Sequence, residues 1–365
     1  MPIITIFFHT QNSTTMANYA LSVLAKGQSV VSAKNQAPEQ RRKVPTVMEL
    51  ALKNQEFSIP NANELRKSDL RTVEINYLKN VTKGSSTNKA AVHTGTYGDS
   101  GKVELTYITH VETMSLPRKI AQNNIFDYQT LFNNLYEMKW KNLRQRHDDS
   151  ALAFLIANRC QLAASVIEPQ IASARPGTWN ETLFALEIEA GKSSRFAQKI
   201  KSFMAARLFN SAEYDVIADL QMADEFEFQR NQGAANQTNL SNLFSGLNIA
   251  TTSDVVSSDY ENGAVLIMPK GMLAALQWND ELNKKGVNSG ENEVGMLGIA
   301  ADPFGSGATA DISMYTKRAD TSANIYGGSP QDINDEWEIS LTMAYALPPL
   351  ATSGESVVHL VGQSS

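Results

Sequence analysis

LRTVEINYL (residues 70–78) and KVELTYITHV (residues 102–111) decide how the chain is read. In the first stretch Val73, Ile75 and Tyr77 alternate with Thr72, Glu74 and Asn76. In the second, Val103, Leu105 and Tyr107 alternate with Lys102, Glu104 and Thr106. Alternation of period two marks strands with one packed face, so the pair predicts a hairpin. The connection, KNVTKGSSTNKAAVHTGTYGDSG (residues 79–101), is rich in Gly, Ser, Thr and Lys and offers no core of its own. A polar connection of that length is unusual inside a compact domain and points to a binding role.

Beyond Pro117 the period changes to that of helices. Asp127 is placed to cap a helix through YQTLFNNLYEMKWKNLRQR, with Leu131, Leu135 and Met138 on one stripe flanked by Phe132 and Tyr136. A second helix is expected after a junction at Asp149 and Ser150, with Leu152, Leu155, Ile156, Cys160, Ala163 and Ile167 on one face, stopped by Pro169 and the turn from Arg175 to Trp179. A third follows Ser194, with Phe196, Ile200, Phe203, Met204 and Leu208 aligned.

From about 210 to 330 short elements mix with polar loops. YDVIADL and FEFQR fit strand or helix equally well, and NQGAANQTNLSN is a loop. GAVLIMP reads as a buried strand ended by Pro269, and KGMLAALQWNDELNKKG after it as a helix closed by Gly286. VGMLGIA and ADISMYTK read as strands among Gly-rich loops. In DEWEISLTMAYALPPL, Trp337, Ile339, Leu341, Met343 and Tyr345 alternate with Glu338, Ser340, Thr342 and Ala344, which predicts a half-buried strand ended by Pro348 and Pro349.

Toward the N-terminus, apolar residues thin out. Residues 1–15 precede a second methionine, Met16, and read as an extension; MPIITIFFHT lacks a basic start and makes a poor signal peptide. Residues 16–60 read as an arm, with a short helical turn at Val47, Leu50 and Leu52, ordered only by lying across something else. Arg41, Arg42 and Lys43 lie between Pro38 and Pro45; the triplet suits a solvated patch, or a contact with DNA or an acidic neighbour.

Bulk properties exclude more than they select. The chain has 365 residues, enough for two domains, with 42% hydrophobic and 19% charged residues, which is ordinary for a folded protein. A net charge of −6 argues against a surface built mainly to grip nucleic acid. One cysteine, Cys160, rules out a disulfide within the chain and is expected to be a small buried hydrophobe. No apolar run approaches the ~20 residues of a membrane span.

Standard catalytic motifs fail one by one. EAGKSS (Glu189 to Ser194) contains the end of a phosphate loop, but its first glycine is replaced by Leu186. His9, His93, His110, His147 and His359 fall in no zinc spacing. His147-Asp148-Asp149 looks like an acid–base cluster but reads better as a helix junction. No catalytic, cofactor or metal residue is therefore assigned.

The order of elements carries the functional reading. A sparse arm, a long hairpin with a polar tip, a long helix, a mixed segment and a returning strand at Trp337–Tyr345 together resemble the major capsid proteins of tailed bacteriophages. The resemblance implies an α+β fold: an N-terminal arm at 1–60, an extended β-hairpin loop at 61–116, and a peripheral domain at 117–211 and 331–365. The spine helix of that domain would run over about 127–147, and an axial α/β domain would occupy 212–330. GAVLIMPKGMLAALQWND is similar to a strand-Pro-helix passage of such axial domains. The same resemblance implies a non-enzymatic subunit that forms hexamers and pentamers with its own copies, in a virion assembled in the host cytoplasm. Scaffold, portal and decoration proteins, and non-specific contact with packaged DNA, are the further partners it implies; a membrane is not. Arg41, Arg42, Lys43, Lys83, Lys89 and Tyr97 are the expected inter-subunit contacts, and Lys83 and Lys89 lie where some relatives crosslink. Three alternatives stay open: an encapsulin-like compartment, a tail or connector protein, and a two-domain soluble α/β enzyme.

Overall fold

In the computed structural model, the described residues are 22–30, 46–53, 72–78, 100–117, 125–174, 176–189, 195–232, 246–280, 294–318, 333–350 and 352–364. Its organising element is a helix of 33 residues, α3 (Ile125–Ala157). At 1.5 Å per residue it is about 50 Å long. Among the described residues two helices precede it, α1 (22–30) and α2 (Thr46–Lys53). So do three strands, β1 (Thr72–Leu78), β2 (Ser100–Thr106) and β3 (Ile108–Pro117).

The predicted junction at Asp149 and Ser150 does not exist; the spine extends ten residues past 147 as one helix. The polar residues that suggested a break are used sideways instead. Ser150 Oγ donates to the Arg146 carbonyl one turn back, at 2.9 Å. His147 Nε2 donates to the Leu341 carbonyl at 2.8 Å, and the Asp148 carboxylate accepts from backbone N–H groups of α2.

The buried stripe of α3 also differs from the predicted one. Tyr128, Phe132, Tyr136, Trp140 and Leu143 are fully buried, whereas Leu131 and Leu135 are half-buried and Met138 is 45% exposed. Both stripes are apolar and lie one residue apart around the helix. The aromatic row faces inward because it removes more area from water. Phe132 stacks on Tyr136 with ring centroids 5.5 Å apart and meets Trp337 at 4.8 Å. Tyr128 keeps its polar tip satisfied by donating to Asp335 Oδ2 at 2.9 Å.

Trp337 lies on β12 (Ile333–Ala346), the centre of a five-stranded sheet. Its neighbours are β3 on one side, and β11 (Thr309–Arg318) and β9 (Ala274–Trp278) on the other; β10 (Val294–Ala301) forms the far edge. Every pairing is antiparallel. Met114, Leu116, Ile312, Met314, Trp337, Ile339 and Leu341 point toward α3. The strand at β9 corrects the predicted helix over 270–286 as far as Trp278. Ala275 pairs with Tyr345 and Leu276 with Ala344, and this ladder overrides the helix propensity of an Ala/Leu run. The implied strand-Pro-helix passage is thus strand-turn-strand.

A six-stranded sheet forms the other half. Its order is β4 (Thr178–Asn180), β5 (Ala185–Glu189), β13 (His359–Ser364), β8 (Ala264–Pro269), β6 (Tyr214–Ala218), β7 (Leu247–Thr251). The ambiguous YDVIADL is thus mostly strand, and FEFQR lies in a helix, α6 (Leu220–Gln232). Both faces of the sheet are covered, which is why β8 reads as an unbroken apolar run and β6 as an apolar run interrupted by the buried Asp215. One face packs on α5 (Phe196–Ala206), α6 and α4 (Ala164–Ile171), the other on the core shared with α3. Pro169 sits inside α4 and does not stop it, and Cys160 is buried, as expected of a small hydrophobe. The two sheets divide the strands of 212–330 between them, and β13 belongs with β8 and β5, not with β12.

Leu208 does not extend the buried stripe of α5; it is 82% exposed with φ +64°. Phe209 N–H reaches the Met204 carbonyl and Leu208 N–H the Ala205 carbonyl, the paired bonds of a Schellman ending with leucine where glycine is usual. The turn sends Arg207 inward, where its guanidinium donates to Gln170, to Glu355 at 3.0 Å and to His359 Nε2 at 3.4 Å. Burial, reinforced by Arg207, pushes the His359 pKa down to about 3. Burial likewise brings His147 down to about 4.

Two predictions follow from this packing. Trp337→Ala is expected to lower unfolding free energy in urea by about 3–5 kcal/mol, while Met138→Ala should change it by less than about 0.5 kcal/mol. Acid should weaken the fold as well. Below the ordinary histidine pKa the unfolded chain binds protons that His147 and His359 refuse in the fold. Asp148, raised to about 6 by burial, works the other way over the lower part of that range. Two histidines outweigh one carboxylate, so the urea midpoint is expected to fall from pH 7 to pH 4.5, less steeply in His359→Gln. An unchanged midpoint would contradict the buried, neutral placement of both rings.

Candidate assembly interface

The hairpin predicted from alternation is present. β1 and β2 pair antiparallel, with Val73 opposite Leu105, Ile75 opposite Val103 and Leu78 opposite Ser100. They form a two-stranded sheet of their own. The chain leaves the ladder at Tyr107 and enters β3, which pairs with β12. The hairpin is thus a continuation of the central sheet's own strand beyond the point where that sheet supports it.

Its footing is small. Ile75 and Leu105 pack on Ala274, Leu276, Ala344 and Ala346, with Val103 and Tyr107 at the margin. Tyr107 also meets Trp278 at 6.4 Å between ring centroids. The three alanines leave a shallow seat into which Ile75 and Leu105 fit. Gly101, directly opposite Tyr77, lies under that ring; a Cβ there would come within 2.5 Å of it. The other face carries Glu74, Asn76, Lys102 and Glu104, all exposed. Lys102 meets Glu74 at 2.7 Å, which holds its ammonium pKa above the usual value, but a solvent-exposed pair of this kind adds little stability.

Behind the hairpin, α3 presents cations to carboxylates from several elements. Glu112 of β3 is buried between Lys139 at 2.8 Å and Arg146 at 3.2 Å. Arg144 pairs with Glu49 of α2, approaches Asp302 at 3.4 Å and lies over the Phe304 ring at 4.9 Å. These ties fix β3, and through it the hairpin base, to the spine. On the sheet face away from α3, Val111, Thr113, Ser115 and Tyr315 are exposed beside Glu336 and Glu338.

One arrangement looks catalytic and is not built that way. His110 Nε2 lies 2.9 Å from Ser150 Oγ, and its ring meets His147 edge-on at 4.6 Å. The Ser150 hydroxyl already donates to the Arg146 carbonyl, so the imidazole must donate to Oγ and cannot take a proton from it. Burial and Arg146 lower the His110 pKa.

No family model matches the chain, and no curated protein matches it. Solved phage structures are similar to it. A chain of Mycobacterium phage Che8 is 11% identical, with a TM-score of 0.49 over 90% of this chain and 94% of that one. One of Mycobacterium phage Adephagia is 12% identical, with a TM-score of 0.47 over 89% and 92%. One from a cyanophage Pam1 capsid asymmetric unit is 9% identical, with a TM-score of 0.44 over 82% and 87%.

Arg41, Arg42, Lys43, Lys83, Lys89 and Tyr97 all lie outside the described residues, as does Lys192 of the phosphate-loop remnant. Sequence reading missed the alanine seat and the spine cations. Ala274, Ala344 and Ala346 carry no pattern until the register of β9 and β12 is known. Leu105→Asp should unseat the hairpin: amide protection is expected to vanish over 72–78 and 100–106 and to persist in α3 and β12, read by hydrogen-exchange mass spectrometry. Retained protection in β1 would show that the seat is not what holds it.

Proposed function

We propose that this chain is the major capsid protein of a tailed bacteriophage, a structural subunit that assembles with copies of itself into an icosahedral shell around DNA. The observation that carries the reading is the hairpin. A two-stranded ribbon is marginal in water without a third partner surface, yet among the described residues β1 and β2 pair only with each other and rest on a small seat. A ribbon of this kind gains order when a neighbouring subunit covers it, and large shared interfaces then stabilise the folded subunit by mass action.

The finer parts of the proposal follow from the same layout. The subunit forms hexamers and pentamers, its location is the virion, and its assembly takes place in the host cytoplasm. Scaffold, portal or decoration proteins are further partners, and packaged DNA is met without sequence preference. Arg41, Arg42, Lys43, Lys83, Lys89 and Tyr97 serve as contacts between copies. The arm is 1–60, the extended loop runs from 61 to the start of β3, and the peripheral and axial units are built around the five- and six-stranded sheets respectively. The role is structural, not catalytic.

Negative-stain microscopy of expressed protein tests the proposal. The full chain is expected to form closed shells, and a chain lacking residues 80–98 to stay folded by circular dichroism and form none. Normal shells from the shortened chain would remove the role given to the hairpin. Rings or tubes from the full chain would instead favour a connector or tail protein.

A further inference from the structure

Helix α2 sits at the junction of the two halves of the molecule. It packs on α3, on β9 at the five-stranded sheet and on β7 at the six-stranded sheet. Thr46 Oγ1 donates to the Thr251 carbonyl of β7 at 2.8 Å. Val47, Met48 and Ala51 are fully buried in the core that includes α3, Leu273 and Ala275.

Its N-terminus is capped from a hundred residues away. Asp148 Oδ1 accepts the Val47 N–H at 2.7 Å and the Met48 N–H at 2.8 Å. These are two of the four N–H groups that a helix start leaves without partners, a task usually met by the residue before the helix. One turn on, Glu49 pairs with Arg144 of the same spine helix. Two side chains of α3, four residues apart, therefore grip the start and the middle of α2.

We propose that α2 is a latch across the junction of the two sheets, held shut by Asp148 and Arg144, and that its closure responds to the charge on Asp148. The device goes beyond the shell reading and stands without it.

The sign of the response comes from what surrounds the carboxylate. Asp148 is 2% exposed. Asp254, after β7, faces it with like charge, and Tyr345 of β12 has its hydroxyl held neutral by burial and by the Asp148 charge. His147 is kept neutral by burial. A step further out among the described residues, His110 of β3 meets the His147 ring edge-on and interacts with Asp149 of α3, and Arg144 of α3 pairs with Glu49 of α2. Desolvation outweighs the backbone donors, and the pKa rises to about 6. Opening the latch exposes the carboxylate and relieves that penalty, so ionisation favours opening. Closure is thus tightest near the ordinary carboxylate pKa, loosens as pH rises to about 6, and is level above it.

Hydrogen-exchange mass spectrometry on the full chain, corrected for intrinsic exchange rates, reads this at 46–53. The protection factor there is expected to fall by roughly tenfold between pH 4.5 and pH 6.5, while global stability moves the opposite way. Asp148→Asn, which keeps an acceptor and removes the charge, should flatten that dependence. Asp148→Ala, which removes acceptor and charge together, should also be flat with pH and lie about tenfold below the unaltered chain at pH 4.5. Should the alanine variant fail to fold, Asp254→Asn is the substitute: removing its charge should shift the loss of protection to lower pH. Protection that is flat or rises from pH 4.5 to 6.5 in the unaltered chain, or the same pH dependence in Asp148→Asn, overturns the proposal.

Discussion

Everything in this molecule is arranged around the need to cover one face of an antiparallel sheet with one long helix. An open five-stranded sheet buries only the face that something packs on. Here the cover is the aromatic row of α3, and Trp337 at the sheet's centre is its counterpart. α3 runs some 50 Å along β12, from Tyr128 at Asp335 to Phe154 at Tyr345, and its buried residues share one core with the inner face of the six-stranded sheet. One helix therefore carries both halves, and the polar residues along it (Glu112's partners Lys139 and Arg146, then Arg144, His147 and Asp148) are spent on holding neighbours in place.

The hairpin is the complement of that arrangement. β3 is tied down at Glu112 and by its ladder with β12, so the strand preceding it leaves the sheet in a fixed direction. What it carries outward, β1 with β2, has an apolar side just large enough to seat on three alanines and a leucine, and a charged side turned to solvent. A rigid base with an under-supported ribbon suits a subunit that completes itself on its neighbours.

Much of this was legible in the sequence. Strict alternation at Val73–Tyr77, at Val103–Tyr107 and at Trp337–Tyr345 announced strands, and all three are paired strands. The half-buried reading of the last fails beyond Leu341, where Thr342 and Ala344 are buried too, Ala344 under the hairpin. Reading failed where two answers share one local pattern. Leu131/Leu135/Met138 and Phe132/Tyr136 are adjacent apolar stripes, and only the sheet opposite decides between them. AALQW has the composition of a helix and becomes a strand because β12 offers a ladder. His147, Asp148 and Ser150 looked like punctuation because capping residues usually act on their own helix; Asp148 acts on α2 instead. The contacts expected at Arg41–Lys43, Lys83, Lys89 and Tyr97 fall outside the described residues, so the structure adds nothing to them.

The central claim is that β1 and β2 are completed by another copy of the chain. Electron cryo-microscopy of the particles formed by the full chain tests it most directly. The account predicts density for residues 72–106 lying against an adjacent subunit, with the charged face of the ribbon covered. Particles in which that ribbon stands in solvent, touching only its own subunit, would contradict it.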